Sequence, residues 1–140
     1  KKKEPKWKIQ FVSYDVGRNI LTECLICETL FVEILMNVIV LDTCEKELKK
    51  LPVNVLEDFV DAVAKLSIGL KLGMPLSRKM EGMGKSVHEL RFKDKSGIYR
   101  VIYFVKKKDA IYIVHAFTKK TQKTPKKNIE LATKRIRRLL

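Results

Sequence analysis

Residues 87–117 read VHELRFKDKSGIYRVIYFVKKKDAIYIVHAF. Three runs in this stretch are rich in β-branched and aromatic side chains: Val87–Lys93, Ile98–Lys106 and Ala110–Phe117. Such side chains fit a pleated, half-buried surface. DKSG and KKD separate the runs, and Gly, Ser and Asp are residues that reverse a chain. Connections so short predict an antiparallel meander of three strands.

Upstream, NVIVLD (Asn37–Asp42) reads as a short strand, and Thr43 offers an N-cap for a helix over CEKELKKL. Pro52 ends that helix, because proline cannot continue one. In VNVLEDFVDAVAKLSIG the apolar residues Val55, Leu56, Phe59, Val60, Val63 and Leu66 recur at spacings of three and four, so a second helix turns one stripe to a core. Gly69 is its expected C-terminal cap. Leu70–Gly84, with its glycines and proline, reads as a loop carrying Arg78 and Lys79. Downstream, Pro125 opens a last helix, KKNIELATKRIRRLL, whose stripe is Ile129, Ala132, Ile136 and Leu139/Leu140. Lys134, Arg135, Arg137 and Arg138 crowd the negative end of its dipole. Helices gather early and strands late, which is an α+β arrangement. The expected order is strand, helix, helix, three-strand meander, helix, with the two N-terminal helices packed on a small antiparallel sheet.

The 140 residues suit one domain, and the formal charge is +14. That charge is lopsided. Residues 85–140 hold 17 Lys/Arg against 4 Asp/Glu, and residues 1–84 hold 13 against 12. One basic face implies a polyanionic partner: nucleic acid, an acidic protein segment or an anionic membrane. The apolar window Ile20–Leu41 is interrupted by Glu23, Glu28 and Glu33, which argues against a membrane span. The N-terminal lysines are not followed by a secretory h-region. Three cysteines do not make a disulfide scaffold, and Cys24–Cys27 lacks the second pair a zinc site needs. These features predict a cytoplasmic chain. Near the N-terminus, WKIQFVSY (Trp7–Tyr14) reads as a strand, DVGRN as a turn, and Ile20–Leu35 fits neither helical nor strand periodicity.

Successive side chains of a strand point to opposite faces. Glu89, Arg91 and Lys93 thus share one face, with Leu90 and Phe92 on the other. Arg100 falls in a row with Ile98, Ile102 and Phe104. An arginine there is either half of an ion pair, with Glu89 as cross-strand partner, or a guanidinium held rigid to grip phosphate. Ile111, Ile113, His115 and Phe117 are expected on one face, and Tyr112, Val114 and Ala116 on the other. His115 ends its strand just before Lys119 and Lys120. Imidazole moves protons near neutral pH, and neighbouring cations would leave it a neutral ring able to act as base.

Together Glu89, Arg91, Lys93, Arg100, His115, Phe117, Lys119 and Lys120 combine cations for phosphate, an aromatic ring for stacking a base, and a proton carrier. Lys79 and Lys123 extend the basic set. No DxD, HExxH or cysteine cluster points to a metal, and no cofactor is expected. RNA needs none, because its 2′-OH is an internal nucleophile that a protein need only deprotonate, align and screen.

The run GMPLSRKM…HELRFKDKSGIYRVIYFVKKKDAIYIVHAFTKKTQKTPKKNIELATKRI resembles the RelE/HigB-like toxins of type II toxin–antitoxin systems. It is most similar to the phage-derived branch, whose order is LxELRxK…YRxxYF…HxFxKKTxKTP. VIVLDTCEKELKKLP resembles the opening strand and helix of that family. The likeness spans Met36–Leu140, 105 of 140 residues. It implies a RelE-like fold over 36–140 and a ribosome-dependent, metal-independent mRNA endonuclease that inhibits translation. Cutting in the ribosomal A site would proceed by 2′-OH attack and leave a 2′,3′-cyclic phosphate. The implied partners are mRNA, the ribosome and a cognate antitoxin, with operator DNA bound only through the antitoxin complex and no membrane.

By motif, the catalytic set is His115, Arg100, Arg91 and Lys119, with Arg91 and Arg100 on phosphate. The RNA-binding set is Lys79, Glu89, Lys93, Phe117, Lys120 and Lys123. His115 is the expected base, with Glu89 or a lysine as replacements. A ParE-like gyrase poison and a non-catalytic basic RNA-binding module are the rival readings. Residues 1–35 have no counterpart in the family and read as an extension: a leader, an arm or an extra strand, with Met36 as a candidate start.

Overall fold

The computed structural model describes residues 36–106 and 110–140. The strand read at Trp7–Tyr14, the turn after it, the run Ile20–Leu35 with Cys24 and Cys27, and the Lys107–Asp109 turn lie outside the described residues. The elements are β1 (Asn37–Val40), α1 (Asp42–Leu48), α2 (Val53–Ser67), β2 (Ser77–Lys79), β3 (Val87–Asp94), β4 (Gly97–Lys106), β5 (Ala110–Lys119) and α3 (Lys126–Arg137).

The α+β meander forms as the sequence predicts. At the β3–β4 turn the Asp94 carboxylate accepts the backbone N–H groups of Ser96 and Gly97, at 2.8 and 3.1 Å. Two expectations about the sheet are corrected. The sheet is five-stranded and mixed, in the order β1-β5-β4-β3-β2, because β1 runs parallel to β5. The segment Leu70–Gly84 is not all loop, since β2 pairs antiparallel with β3. Ser-Arg-Lys has no apolar alternation of its own, so only the neighbouring strand makes it extended. Thr43 is not the cap of α1 either. The helix starts two residues earlier, after Leu41, and has no side-chain cap. Asp42 and Glu45 in its first turn suit the positive end of its dipole. Gly69 does close α2. At φ +87° it bonds Leu66 C=O, and Leu70 N–H reaches Lys65 C=O, the paired bonds of a left-handed helix cap.

Two cores sandwich the sheet. On one face Cys44, Leu48, Val55, Phe59 and Val63 pack against Leu90, Val101, Ile111 and Ile113. On the other, Ala132 and Ile136 of α3 pack against Ile102 and Val114. Ala132 is fully buried and small, so the helix approaches the strands closely.

A β-bulge sits between these layers in β5. Ile102 pairs with His115 but Tyr103 pairs with Ile113, which leaves Val114 as the extra residue. The bulge breaks the expected alternation. Ile111, Ile113 and Ala116 go to the α2 side, and Tyr112, Val114 and Phe117 to the α3 side. His115 keeps the expected side shared with Phe117, on which it stacks at 5.1 Å between ring centroids, but is parted from Ile111 and Ile113.

β1 pairs β5 only as far as Ile113, so beyond it the outer edge of β5 has no strand partner among the described residues. Side chains take its place. Arg135 donates to Val114 C=O at 2.9 Å, and Glu47 accepts Ala116 N–H at 2.9 Å. Buried backbone groups left without partners would cost about as much as a lost hydrogen bond each.

Candidate active site

Beyond the start of α3, the face of the sheet that the helix leaves uncovered carries the charge. The cross-strand rows run Arg78–Glu89–Ile102–His115, then Arg91–Arg100–Phe117, then Lys93–Ile98–Lys119. Arg91 and Arg100 face each other directly across β3 and β4. Like charges in that position destabilise a sheet unless an anion lies between them.

Arg100 is held from two sides. It is 5% exposed, and its Nη1 donates to Tyr99 C=O at 3.0 Å. Its Nε lies 3.2 Å from Glu89 Oε1, and Glu89 is itself 3% exposed. The charges pair, but the N–H is not directed at that oxygen, so Nε has no hydrogen-bond partner among the described residues. Burial lowers the Arg100 pKa, Glu89 opposes that, and Arg91 reinforces it. Glu89 Oε2 accepts the Thr124 hydroxyl at 3.0 Å. Arg91 is more open and reaches the Met74 Sδ at 3.3 Å.

Lys119 is half-buried at the edge of the same cluster. Partial burial, and next the Arg100 charge, lower its pKa below the ordinary lysine value. Glu89 works against this, while Arg91 and Arg78 add to it. Four cations thus act on one another with one carboxylate among them. The arrangement is chemically suited to a phosphate group: two guanidinium forks, an ammonium with an eased proton, and the Phe117 ring alongside.

His115 sits in a second network, not among the lysines. Its Nδ1 meets Glu47 Oε2 at 2.5 Å, and its Nε2 meets Asn128 Oδ1 at 2.8 Å. Arg135 reaches Glu47 Oε1 at 2.7 Å and lies 3.3 Å from His115 Nδ1. The charged groups beside the ring are therefore Glu47 and Arg135, which overturns the expectation of a ring surrounded by Lys119 and Lys120. Both ring nitrogens are engaged, so neither is open to a substrate. Burial works to raise the Glu47 pKa, but the hydrogen bonds from His115, Arg135 and Ala116 N–H outweigh it and hold the carboxyl at about 2. Burial first, and Glu47 second, push the nearby Cys44 thiol far up, against a smaller pull from Arg135.

A family profile described as "Phage derived protein Gp49-like (DUF891)" matches residues 46–137. The chain belongs to the Gp49-like family. This is a RelE-like toxin family, and a solved RelE structure shares the fold. The Gp49-like chain is similar to a free-state mutant of the E. coli toxin RelE, with 17% identity, a TM-score of 0.51, and coverage of 76% of this chain and 99% of that one. The isolated E. coli RelE toxin gives 16% identity, a TM-score of 0.42 and coverage of 76% and 99%. The toxin–antitoxin complex RelBE2 from Mycobacterium tuberculosis gives 16% identity, a TM-score of 0.39 and coverage of 61% and 99%. No curated protein sequence matches the chain significantly.

Of the residues singled out from the sequence, this Gp49-like fold brings together Glu89, Arg91, Arg100, Phe117 and Lys119, with exposed Lys93 at the end of the same face. Lys120 and Lys123 are exposed on the segment leading into α3. Lys79 is placed elsewhere. It pairs with His88, which stacks on Tyr103 at 5.3 Å on the α2 side of the sheet. Its neighbour Arg78, opposite Glu89, joins the cluster instead. Only recognising β2 as a strand would have distinguished the two by parity. Among the described residues no group of three His, Cys, Asp or Glu side chains is placed to hold a metal, and no helix is long and apolar enough to cross a membrane.

Proposed function

We propose that this protein is a type II toxin that cuts mRNA on the ribosome by activating the RNA's own 2′-OH. The observation that carries this reading is the directly opposed pair Arg91–Arg100, one half-open and one paired with Glu89, with Lys119 and Arg78 adding positive charge in excess of the Glu89 carboxylate. A sheet does not gather such repulsion for stability, so an incoming phosphate is its natural counter-ion.

Arg91 and Arg100 hold the scissile phosphate and screen the charge that grows on it. Lys119 is the proton carrier, since its lowered pKa makes the neutral amine more available and His115 has no free nitrogen. Phe117 offers a face for a nucleobase, and Arg78, Lys93, Lys120 and Lys123 follow the backbone. His115 is a positioning group that fixes Phe117 from behind. The reaction transfers the 2′-OH proton to neutral Lys119, forms the 2′-O–P bond and breaks the P–O5′ bond, the leaving 5′-oxygen taking a proton from water, to give a 2′,3′-cyclic phosphate and a 5′-hydroxyl. Family membership supports a cognate antitoxin that neutralises the toxin, operator DNA bound through that complex, and action in the cytoplasm on ribosomes.

The test is to add the protein to a translating extract and map mRNA ends. Cuts within A-site codons that vanish in Arg100→Ala support the reading. Intact mRNA with stalled DNA replication would point to gyrase. Translation inhibited without cutting, and equally by Arg100→Ala, would point to a non-catalytic RNA binder.

A further inference from the structure

The segment between β5 and α3 is tied to the arginine pair through one hydroxyl. Thr124 donates to Glu89 Oε2 at 3.0 Å across 35 residues of sequence. The other oxygen of that buried carboxylate lies against Arg100 Nε. The Arg100 guanidinium is thus fixed at Nη1 by Tyr99 C=O, and its Nε lies in charge contact with a carboxylate whose other oxygen Thr124 holds.

We propose that Glu89 and Thr124 are positioning residues, a latch that orients Arg100 for its phosphate contact and couples it to the Lys120–Thr124 segment. This rests on the reading of the arginine face as a phosphate site. A carboxylate with one oxygen unpaired inside a protein rotates to find another donor, because an unmade buried hydrogen bond is costly. Thr124 removes that freedom. The segment that carries the hydroxyl also carries exposed Lys120 and Lys123. RNA seated on those lysines therefore acts on the loop that sets Arg100. An arginine shifted by even 1 Å loses much of its effect on the transition state.

Thr124→Val removes the hydroxyl and keeps the shape, while Thr124→Ser keeps the hydroxyl. Two readouts separate the latch from a structural tie: the kinetics of mRNA cleavage in the translating extract, and hydrogen exchange of the Arg100 Nε–H followed by nitrogen-15 NMR. Thr124→Val is expected to lower kcat about tenfold with KM little changed, and Thr124→Ser to restore it. In an Arg100→Lys background Thr124→Val is expected to add little, because the two act as one unit. The Arg100 Nε–H is expected to exchange about tenfold faster in Thr124→Val than in the wild type or Thr124→Ser. Equal exchange in all three proteins overturns the latch. So does a loss of kcat that adds fully to that of Arg100→Lys. A wild-type protein that cuts no mRNA sinks the proposed function, and the exchange measurement still decides the latch.

Discussion

Arg100 is the residue on which the proposed chemistry turns, and half of its setting was legible in the sequence. Strand alternation placed it in an apolar row and named Glu89 as its cross-strand partner, and the two do pair. His115 was less legible. Its position at a strand end suggested lysine neighbours, but a bulge at Val114 and a carboxylate 68 residues away decide what it touches. Replacing Arg100 by Lys keeps the charge and loses the planar fork. The expected result is a fall in kcat of about 100-fold with folding intact, read from cleavage rates and thermal melting. Lys119 gives a pH test. A lowered pKa means the neutral amine becomes abundant at a lower pH than for an ordinary lysine. As a base, Lys119 makes kcat/KM rise with pH to a plateau, with a midpoint below the usual lysine value. Lys119→Arg, which does not titrate in that range, is expected to abolish the rising limb, and an unchanged profile would remove Lys119 from the role.

Among the elements, the meander was legible because its turns and alternation are local. β2 and the parallel β1–β5 pair were not, because each is made by pairing with a partner remote in sequence. A bulge leaves no sequence signature when both flanking residues are apolar, as Ile113 and Val114 are. The network at the edge of β5 is the element whose failure should be measurable. Glu47 joins α1 to β5 and α3 through Ala116, His115 and Arg135. Glu47→Gln is expected to destabilise the fold by about 3 kcal/mol in urea unfolding, since it breaks a largely buried ion network. Its pKa is depressed in the folded state, so its stabilising effect is complete above the ordinary value of 4.5 and is lost as the pH falls toward about 2. The wild type should therefore lose stability over that window and Glu47→Gln should lose less. Parallel pH profiles for the two proteins would contradict the assignment.

For the whole molecule, the +14 charge is organised by the sheet more than by the lysine count. The two faces of β2 make that testable with adjacent residues. Arg78 stands on the arginine face, and Lys79 on the α2 side with His88. Each phosphate contact to single-stranded RNA adds about 0.7 to the slope of log affinity against log salt. Binding of a 2′-O-methyl oligonucleotide across a salt series is expected to lose about that much slope in Arg78→Ala and none in Lys79→Ala. Equal losses would mean that a diffuse basic surface binds RNA, as composition alone suggests.

The central claim is that this face makes the RNA cut itself. The direct measurement is cleavage, during translation, of an mRNA that carries one 2′-deoxynucleotide at a mapped cut site. The account predicts that cutting stops at that position, continues at unmodified ones, and leaves 2′,3′-cyclic phosphate ends wherever it occurs. Undiminished cutting at the deoxynucleotide would contradict it.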